Sequence, residues 1–304
     1  MLVIIGNKYY FNEYDINLLK EKFEEIIFLP YYENDAQEAV YRLDTLYQEG
    51  KVKLVVLNID GKTNIYLQKF LSSKAIKYIN VDKFLEKYLF KCLITKEIKE
   101  SCKRLEKLKT YNKWQFLLKK VIDLISVVLL AIITAPIALY SLYKIKKESP
   151  GSIIFKQTRV GLNNKEFTCY KFRSMHENSY HDPYTKQNDN RVFKWGNFMR
   201  KTRVDELPQM WNIIKGDMHL VGPRAEWNIL VKKYQKSIPC YSKRHLVRPG
   251  ITGWAQVNYP YGVNENDAYI KLMYDLYYIK NWSLWLEIKT ILLTIGVILS
   301  KKGL

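Results

Sequence analysis

Two adjacent carboxylates, Asp205 and Glu206, stand in the run Arg200-Lys-Thr-Arg-Val-Asp-Glu-Leu-Pro-Gln-Met-Trp-Asn-Ile-Ile-Lys-Gly216. Pro208 suits the first turn of a helix, where its fixed φ fits and its missing N–H has no partner to lose; Gly216 suits the position that ends one. The spacing therefore predicts a helix with the acidic pair at or beside its N-terminus. Oriented backbone donors there favour anions and keep a carboxylate ionised. An ionised carboxylate can attack phosphorus or hold a hard divalent cation. Acidic residues at a helix start also serve simply as caps, and the pair by itself leaves both readings open.

Cations surround this pair in the sequence. Phe155-Lys-Gln-Thr-Arg-Val-Gly161 and Tyr170-Lys-Phe-Arg-Ser-Met175 set Lys171 and Arg173 among β-prone residues, as two strands of a hairpin joined through Leu162-Asn-Asn-Lys165 would. Gln157, Arg159 and Gly161 are open to a structural or a functional reading. Val221-Gly-Pro-Arg224 and Arg248-Pro-Gly-Ile-Thr-Gly-Trp-Ala-Gln-Val257 are rigid loops, each with an arginine able to clamp phosphate bidentately.

The element that must carry these residues to their substrate is an apolar run of 23 residues, Val121 to Tyr143. Lys113, Lys119 and Lys120 precede it, and Lys144, Lys146 and Lys147 follow it. As a straight helix it would be about 35 Å long, enough to cross a bilayer. Positive residues mark the cytoplasmic end of a membrane segment, and here both ends carry them. Pro136 would kink the helix in its interior. A helix that enters, bends near Ala135-Pro136 and returns to the same face satisfies both features; a spanning helix and a buried core helix are the alternatives. The position of the run, far into the chain, argues against a cleaved signal peptide. Ile291 to Leu299 is too short to cross and, with Trp282, Trp285, Lys289, Lys301 and Lys302 around it, reads as an interfacial amphipathic helix.

The 304 residues carry 49 Lys+Arg against 30 Asp+Glu, a net charge of +19, which favours anionic partners: lipid headgroups, phosphates or nucleic acid. Cys92, Cys102, Cys169 and Cys240 are too scattered for a metal site and are expected to be reduced, facing the cytoplasm. In the first 95 residues, strand-like runs at Leu2 to Ile5, Glu25 to Leu29, Val52 to Ile59 and Ala75 to Ile79 alternate with helical patterns near 13–24, 35–48 and 63–72. That alternation predicts a small parallel-sheet α/β domain, Rossmann-like in outline. Only Gly6 follows the first strand and no G-x-G-x-x-G occurs, so a docking or regulatory role is expected there rather than a cofactor. Residues 96–112 read as a charged linker, and 113–304 as the membrane-associated mixed α/β domain that carries the site.

The Lys-Phe-Arg strand, the acidic pair, the two arginine loops and the preceding membrane helix, in this order from about Lys113 to Leu304, resemble the bacterial sugar transferases, which are monotopic polyprenyl-phosphate phosphoglycosyl transferases. The resemblance implies transfer of a phosphosugar from a nucleotide diphosphate sugar, usually a UDP-sugar, to polyprenyl (undecaprenyl) phosphate. UMP is released, and surface glycan assembly begins at the cytoplasmic face of the bacterial inner membrane. It implies that Asp205 is the nucleophile, carrying a covalent phosphosugar, and that Asp205 and Glu206 place Mg2+. Arg200 and Arg224 would offset transition-state charge, and Lys171, Arg173 and Arg248 would contact phosphate or nucleotide.

The chain departs from the family pattern twice. Ala135-Pro136 stands where Ser-Pro is usual, with Thr134 one residue earlier as a substitute hydroxyl, and Pro223-Arg224-Ala225 replaces Pro-Arg-Pro. A nucleic-acid-binding protein would explain the charge but not the membrane run, and no nucleic-acid motif occurs. A non-catalytic membrane scaffold would leave the clustered Arg, Asp and Glu loops idle. The sugar, the polyprenol and any homo-oligomer are left open by the residues.

Overall fold

The computed structural model describes residues 1–32, 36–60, 64–95, 102, 105–106, 108, 110–177, 189–260, 262 and 264–299. The chain forms two compact units, Met1–Ser101 and Cys102–Leu304. Of the expected linker, residues 96–101, 103, 104, 107 and 109 lie outside the described residues.

In the first unit β1 (Leu2–Ile5), β2 (Ile26–Leu29), β3 (Leu54–Leu57) and β4 (Tyr78–Asn80) make one parallel sheet in the order β2-β1-β3-β4. Helices α1 (Glu13–Lys20), α2 (Ala36–Gln48) and α3 (Ile65–Ser73) alternate with the strands, and α4 (Val81–Phe84) follows β4. All four residues of β1 are buried, as expected of a parallel strand covered on both faces. Val3, Ile5, Val55 and Leu57 meet Leu43, Leu67 and Leu71 in the core. The strand order reverses between β1 and β3, where open α/β sheets often bind ligands. Here the Asn58 side chain fills that point, accepting from Tyr9 N (2.8 Å) and donating to Tyr9 O (2.9 Å) and Gly6 O (3.1 Å). Gly6 has φ +96°, and a Cβ there would meet Asn58 O at 2.4 Å, so strand-end packing alone accounts for the glycine.

The second unit begins with α5 (Lys113–Glu148), a 36-residue helix that extends the apolar run at both ends. Asn112 and Gln115 close its N-terminus as a reciprocal capping box. Pro136 lies inside the helix and leaves the Ile132 carbonyl without its usual donor. The Thr134 hydroxyl donates to Leu130 O at 2.6 Å, so it does not supply the missing partner in the way the absent Ser-Pro serine would. Lys119, Asp123 and Val127 near one end and Ser141 and Ile145 near the other are buried, whereas Ile132 and Ile133 between them are 69% and 72% exposed.

The hairpin forms as expected: β5 (Ile154–Val160) pairs antiparallel with β6 (Glu166–Phe172), with Lys171 opposite Phe155. After it come α6 (Lys194–Thr202), a 3-10 segment Val204–Gln209 and α7 (Met210–Lys215), which Gly216 ends at φ +80°. Pro208 thus lies in the 3-10 segment, and the α-helix starts two residues later than its position suggested. The cause is local: Arg203 turns left-handed (φ +60°) to end α6, and the chain restarts tightly with Glu206 N donating to Arg203 O at 3.0 Å. Ile145, Phe172, Phe193 and Met199, flanked by Leu142, Val204 and Leu207, form a core that fixes this segment against β6 and the end of α5.

Strands β7 (His219–Val221) and β8 (Gly250–Thr252) pair in parallel and bring the two arginine loops together. A Cβ on Gly222 would meet Arg248 O at 2.6 Å, and one on Gly250 would meet Gly222 N at 2.1 Å, so these backbones approach as only glycines allow. Helices α8 (Asn228–Ser237), α9 (Trp254–Asn258), α10 (Glu265–Lys280) and α11 (Leu284–Leu299) complete the unit. The last is amphipathic, exposing Trp285, Ile288 and Leu292 while burying Leu286, Glu287 and Thr290. Cys102 and Cys240 form a disulfide, against the expectation of four reduced cysteines; Cys92 and Cys169 are free and buried. The folded second unit brings together two residues whose 138-residue separation gave no sign of pairing.

Arg173 is 6% exposed, and its guanidinium donates to Ser149 O (2.5 Å), Ser149 Oγ (3.1 Å) and Pro150 O (2.8 Å). It fastens the end of α5 to the end of β6. Replacing Arg173 by Met leaves these buried acceptors unpaired and is expected to lower the stability of the second unit by about 2 to 3 kcal/mol. Chemical denaturation followed by tryptophan fluorescence measures the change, and a loss below about 0.5 kcal/mol would contradict this role.

Candidate active site

Alternation along β6 places Cys169 and Lys171 on one face. The fully buried Asn212 holds α7 against this strand: its Oδ1 accepts from Tyr170 N (3.1 Å) and its Nδ2 donates to Thr168 O (2.7 Å). The 3-10 segment between α6 and α7 is thereby set beside Lys171. Three cations from separate elements converge on one oxygen, Glu206 Oε1: Lys171 Nζ at 2.7 Å, Arg224 Nη2 at 3.0 Å and Arg203 Nη1 at 3.7 Å.

The loop that presents Arg224 is held from several sides. Arg159 donates to Ala225 O and, through Nε (3.1 Å) and Nη2 (2.7 Å), to Gln157 Oε1. Arg244 donates to Arg224 O at 3.0 Å and is itself fixed by Asp275 at 2.8 Å. Gly250 N donates to Pro223 O at 2.9 Å. These hydrogen bonds restrain the backbone where the family's second proline is missing. Gln157 and Arg159, open between two roles in the sequence, are seen here holding the loop.

The two carboxylates sit in opposite electrostatic states. Burial acts to raise the Glu206 pKa, but Lys171, Arg224 and Arg203 overcome it and hold the group well below the usual carboxylate range. Burial also acts on Asp205, and with the neighbouring Glu206 charge it pushes this carboxyl up, against Lys171, Arg200 and Arg203. Proximity to a helix start led to the expectation that both stay readily ionised. The segment is a short 3-10 turn instead, and the nearby cations go mainly to Glu206. Asp205 is 8% exposed, and its Oδ1 is buried without a hydrogen-bond partner.

Among the expected site residues, the structure brings together Asp205, Glu206, Lys171 and Arg224, with Arg200 acting on Asp205 through its charge. Arg173 engages the end of α5 through Nη1 and Nη2, and its Nε is buried without a hydrogen-bond partner. Arg248 lies over the Phe116 ring (5.2 Å) in a separate cavity of about 270 Å3 that Tyr111, Lys113 and His219 also line. Ala135 and Pro136, expected to break the helix, lie inside the continuous helix α5. Arg203 was missed, although its position three residues before Glu206 is a spacing at which side chains meet on a helical turn. Asn212 and Arg244 were missed because they act only through tertiary contacts.

No group of three or more metal-ligating side chains occurs among the described residues. Mg2+ commonly binds through one or two carboxylates together with substrate phosphates and water. The unpartnered Asp205 Oδ1 fits that mode, whereas Glu206 Oε1 is already taken by cations.

Residues 114–301 match the family model described as bacterial sugar transferase. A UDP-N-acetylgalactosamine-undecaprenyl-phosphate N-acetylgalactosaminephosphotransferase of Aeromonas hydrophila is 44% identical over 188 residues, covering 61% of this chain and 44% of the relative. A UDP-glucose:undecaprenyl-phosphate glucose-1-phosphate transferase of Escherichia coli K12 is 42% identical over 185 residues, 59% of this chain and 39% of the relative. A protein of the same description from Caulobacter vibrioides is 38% identical over 189 residues, 60% of this chain and 70% of the relative. The chain thus spans less than half the length of the first two relatives. The match runs through the apolar helix α5, the hairpin, the acidic turn and both arginine loops, and by it the chain belongs to the bacterial sugar transferase family.

Proposed function

We propose that this chain transfers a phosphosugar from a UDP-sugar to undecaprenyl phosphate, the reaction named for its relatives from Aeromonas, Escherichia and Caulobacter. The observation that carries the reading is the unpartnered, buried Asp205 Oδ1 next to a carboxylate that gathers Lys171, Arg203 and Arg224. An Asp205 oxygen attacks the sugar-bearing phosphorus, the bond from that phosphorus to the bridging oxygen breaks, and UMP leaves. An oxygen of undecaprenyl phosphate then attacks the same phosphorus and frees the carboxylate. Glu206 keeps Lys171 and Arg224 oriented towards the diphosphate, where their charge counters that developing in the transition state. Mg2+ held through Asp205, with Glu206 beside it, would neutralise diphosphate oxygens.

The same reading places the chain at the cytoplasmic face of the inner membrane, with α5 re-entrant. Its support is that both ends of α5 are buried against one compact unit while the middle is exposed and apolar. A straight helix of 36 residues would be about 54 Å long and would carry its ends far apart. The amphipathic α11 lies along the interface, and the first unit serves as an accessory domain for docking or regulation. Initiation of a surface glycan follows from the lipid-linked product.

Two-step transfer requires ping-pong kinetics and exchange of labelled UMP into UDP-sugar without lipid acceptor. Asp205→Asn is expected to abolish the exchange and lower turnover by roughly 10³-fold or more while leaving the fold intact. Near-normal turnover in that variant would reduce Asp205 to a structural group. Glu206→Gln should lower turnover by about 10- to 100-fold, because Lys171, Arg203 and Arg224 lose their counter-charge.

Topology is tested separately by cysteines placed at 113 and 147. Both are expected to react with a membrane-impermeant thiol reagent only from the cytoplasmic side. Labelling of one from the outside would establish a spanning helix.

A further inference from the structure

We propose that Lys119 and Asp123, one turn apart on α5, are positioning residues that hold β7 in place and, through it, set Arg224 against Glu206. The inference rests on the site reading above but concerns groups outside the acidic cluster. Each residue of β7 is gripped by one of these two side chains. Asp123 Oδ2 meets His219 Nδ1 at 2.5 Å, Asp123 Oδ1 accepts from Leu220 N at 2.8 Å, and Lys119 Nζ donates to Val221 O at 2.7 Å. Lys119 is fully buried and Asp123 is 4% exposed.

The grip is fixed from behind. Lys119 Nζ also donates to Glu287 Oε1 (2.6 Å) and Tyr278 OH (3.0 Å). Glu287 Oε2 in turn accepts from Tyr278 OH (2.7 Å) and Trp282 Nε1 (2.9 Å). Buried charges satisfied in this way hold one geometry, since any shift leaves a charge without partners. The ammonium therefore ties together α5, the α10–α11 corner and the end of β7.

What makes this a device for the site is the chain that follows. Only Gly222 and Pro223 separate Val221 from Arg224. Gly222 is wedged against the Arg248 carbonyl and Gly250, and proline fixes its own φ, so the link has little freedom. A displacement of Val221 is passed on to the guanidinium that donates to Glu206 at 3.0 Å. Seating the first turns of the membrane helix and aligning Arg224 thereby become one coupled event. A chain in which α5 is not seated lacks a properly placed Arg224.

The test uses the full chain in lipid nanodiscs with Asp123→Ala, Asp123→Asn and Lys119→Met. Amide hydrogen exchange reads the position of β7 directly and needs no activity. Asp123→Ala and Lys119→Met are expected to speed exchange at Leu220, Val221, Gly222 and Arg224 by about tenfold or more, leaving β1 and β3 of the first unit unchanged. Asp123→Asn keeps an acceptor for Leu220 N and is expected to restore most of the protection.

In the transfer assay, Asp123→Ala combined with Arg224→Ala should be no slower than Arg224→Ala alone, because both act through the same guanidinium. Unchanged exchange at 220–224 in both Asp123→Ala and Lys119→Met, multiplicative losses in the double variant, or loss of protection throughout the second unit would each overturn the proposal, the last by reducing the pair to general supports of the fold. A wild-type chain without transfer activity would defeat the proposed function, yet the exchange measurement would still decide this inference.

Discussion

A buried carboxylate that cannot be left alone organises this domain. An ionised Glu206 at 4% exposure must be paired or be expelled from the interior. The chain meets that demand with Lys171 from β6, Arg203 from the end of α6 and Arg224 from the loop after β7. Each of those elements therefore has only a narrow range of acceptable positions. The supports around them follow from the same constraint: Asn212 joins α7 to β6, Arg159 and Arg244 hold the 224–225 backbone, and glycine contacts seal β7 against β8. A buried ionic cluster of this kind contributes little net stability, because desolvation offsets most of its attraction. What it confers is a defined arrangement of charge.

Placing the cations on Glu206 also separates the two neighbouring carboxyls. Adjacent acids in the same setting would compete for the same protons and cations. Here one is held ionised by its partners, while burial and the charge of its neighbour make the other harder to ionise. Environments that push paired groups apart are how a site assigns them different work. Asp205 Oδ1 is left without a hydrogen-bond donor. Its neighbour, by contrast, is occupied in orienting positive charge.

Much of this was legible in the sequence, and the reasons are specific. The four strands of the first unit announce themselves as short apolar runs between amphipathic helices, because a parallel sheet buried on both faces needs that pattern. The hairpin and the Gly216 stop were equally plain, since both follow from local backbone preferences. What was not legible depends on three dimensions. Arg173 and Lys171 lie two residues apart and look equivalent, yet one seals a helix end and the other meets Glu206, and only the packing of α5 and the 3-10 segment separates them. Arg203 was obscured because its left-handed backbone, which aims it at Glu206, is set by how α6 ends. The Cys102–Cys240 bridge had no local signature at all.

The membrane helix shows the same limit from the other side. Read by hydropathy, Lys119 is a flanking charge and Asp123 an interruption of an apolar stretch. Read by contacts, they are polar groups that hold the first part of α5 to the second unit, just as Ser141 and Ile145 are buried in that unit near the other end of the helix. The helix is thus anchored in one unit near both ends, with Pro136 between the anchors. Its middle is left as an exposed apolar surface. The charges that look like defects in an apolar helix are the groups that tie it to β7 and α11.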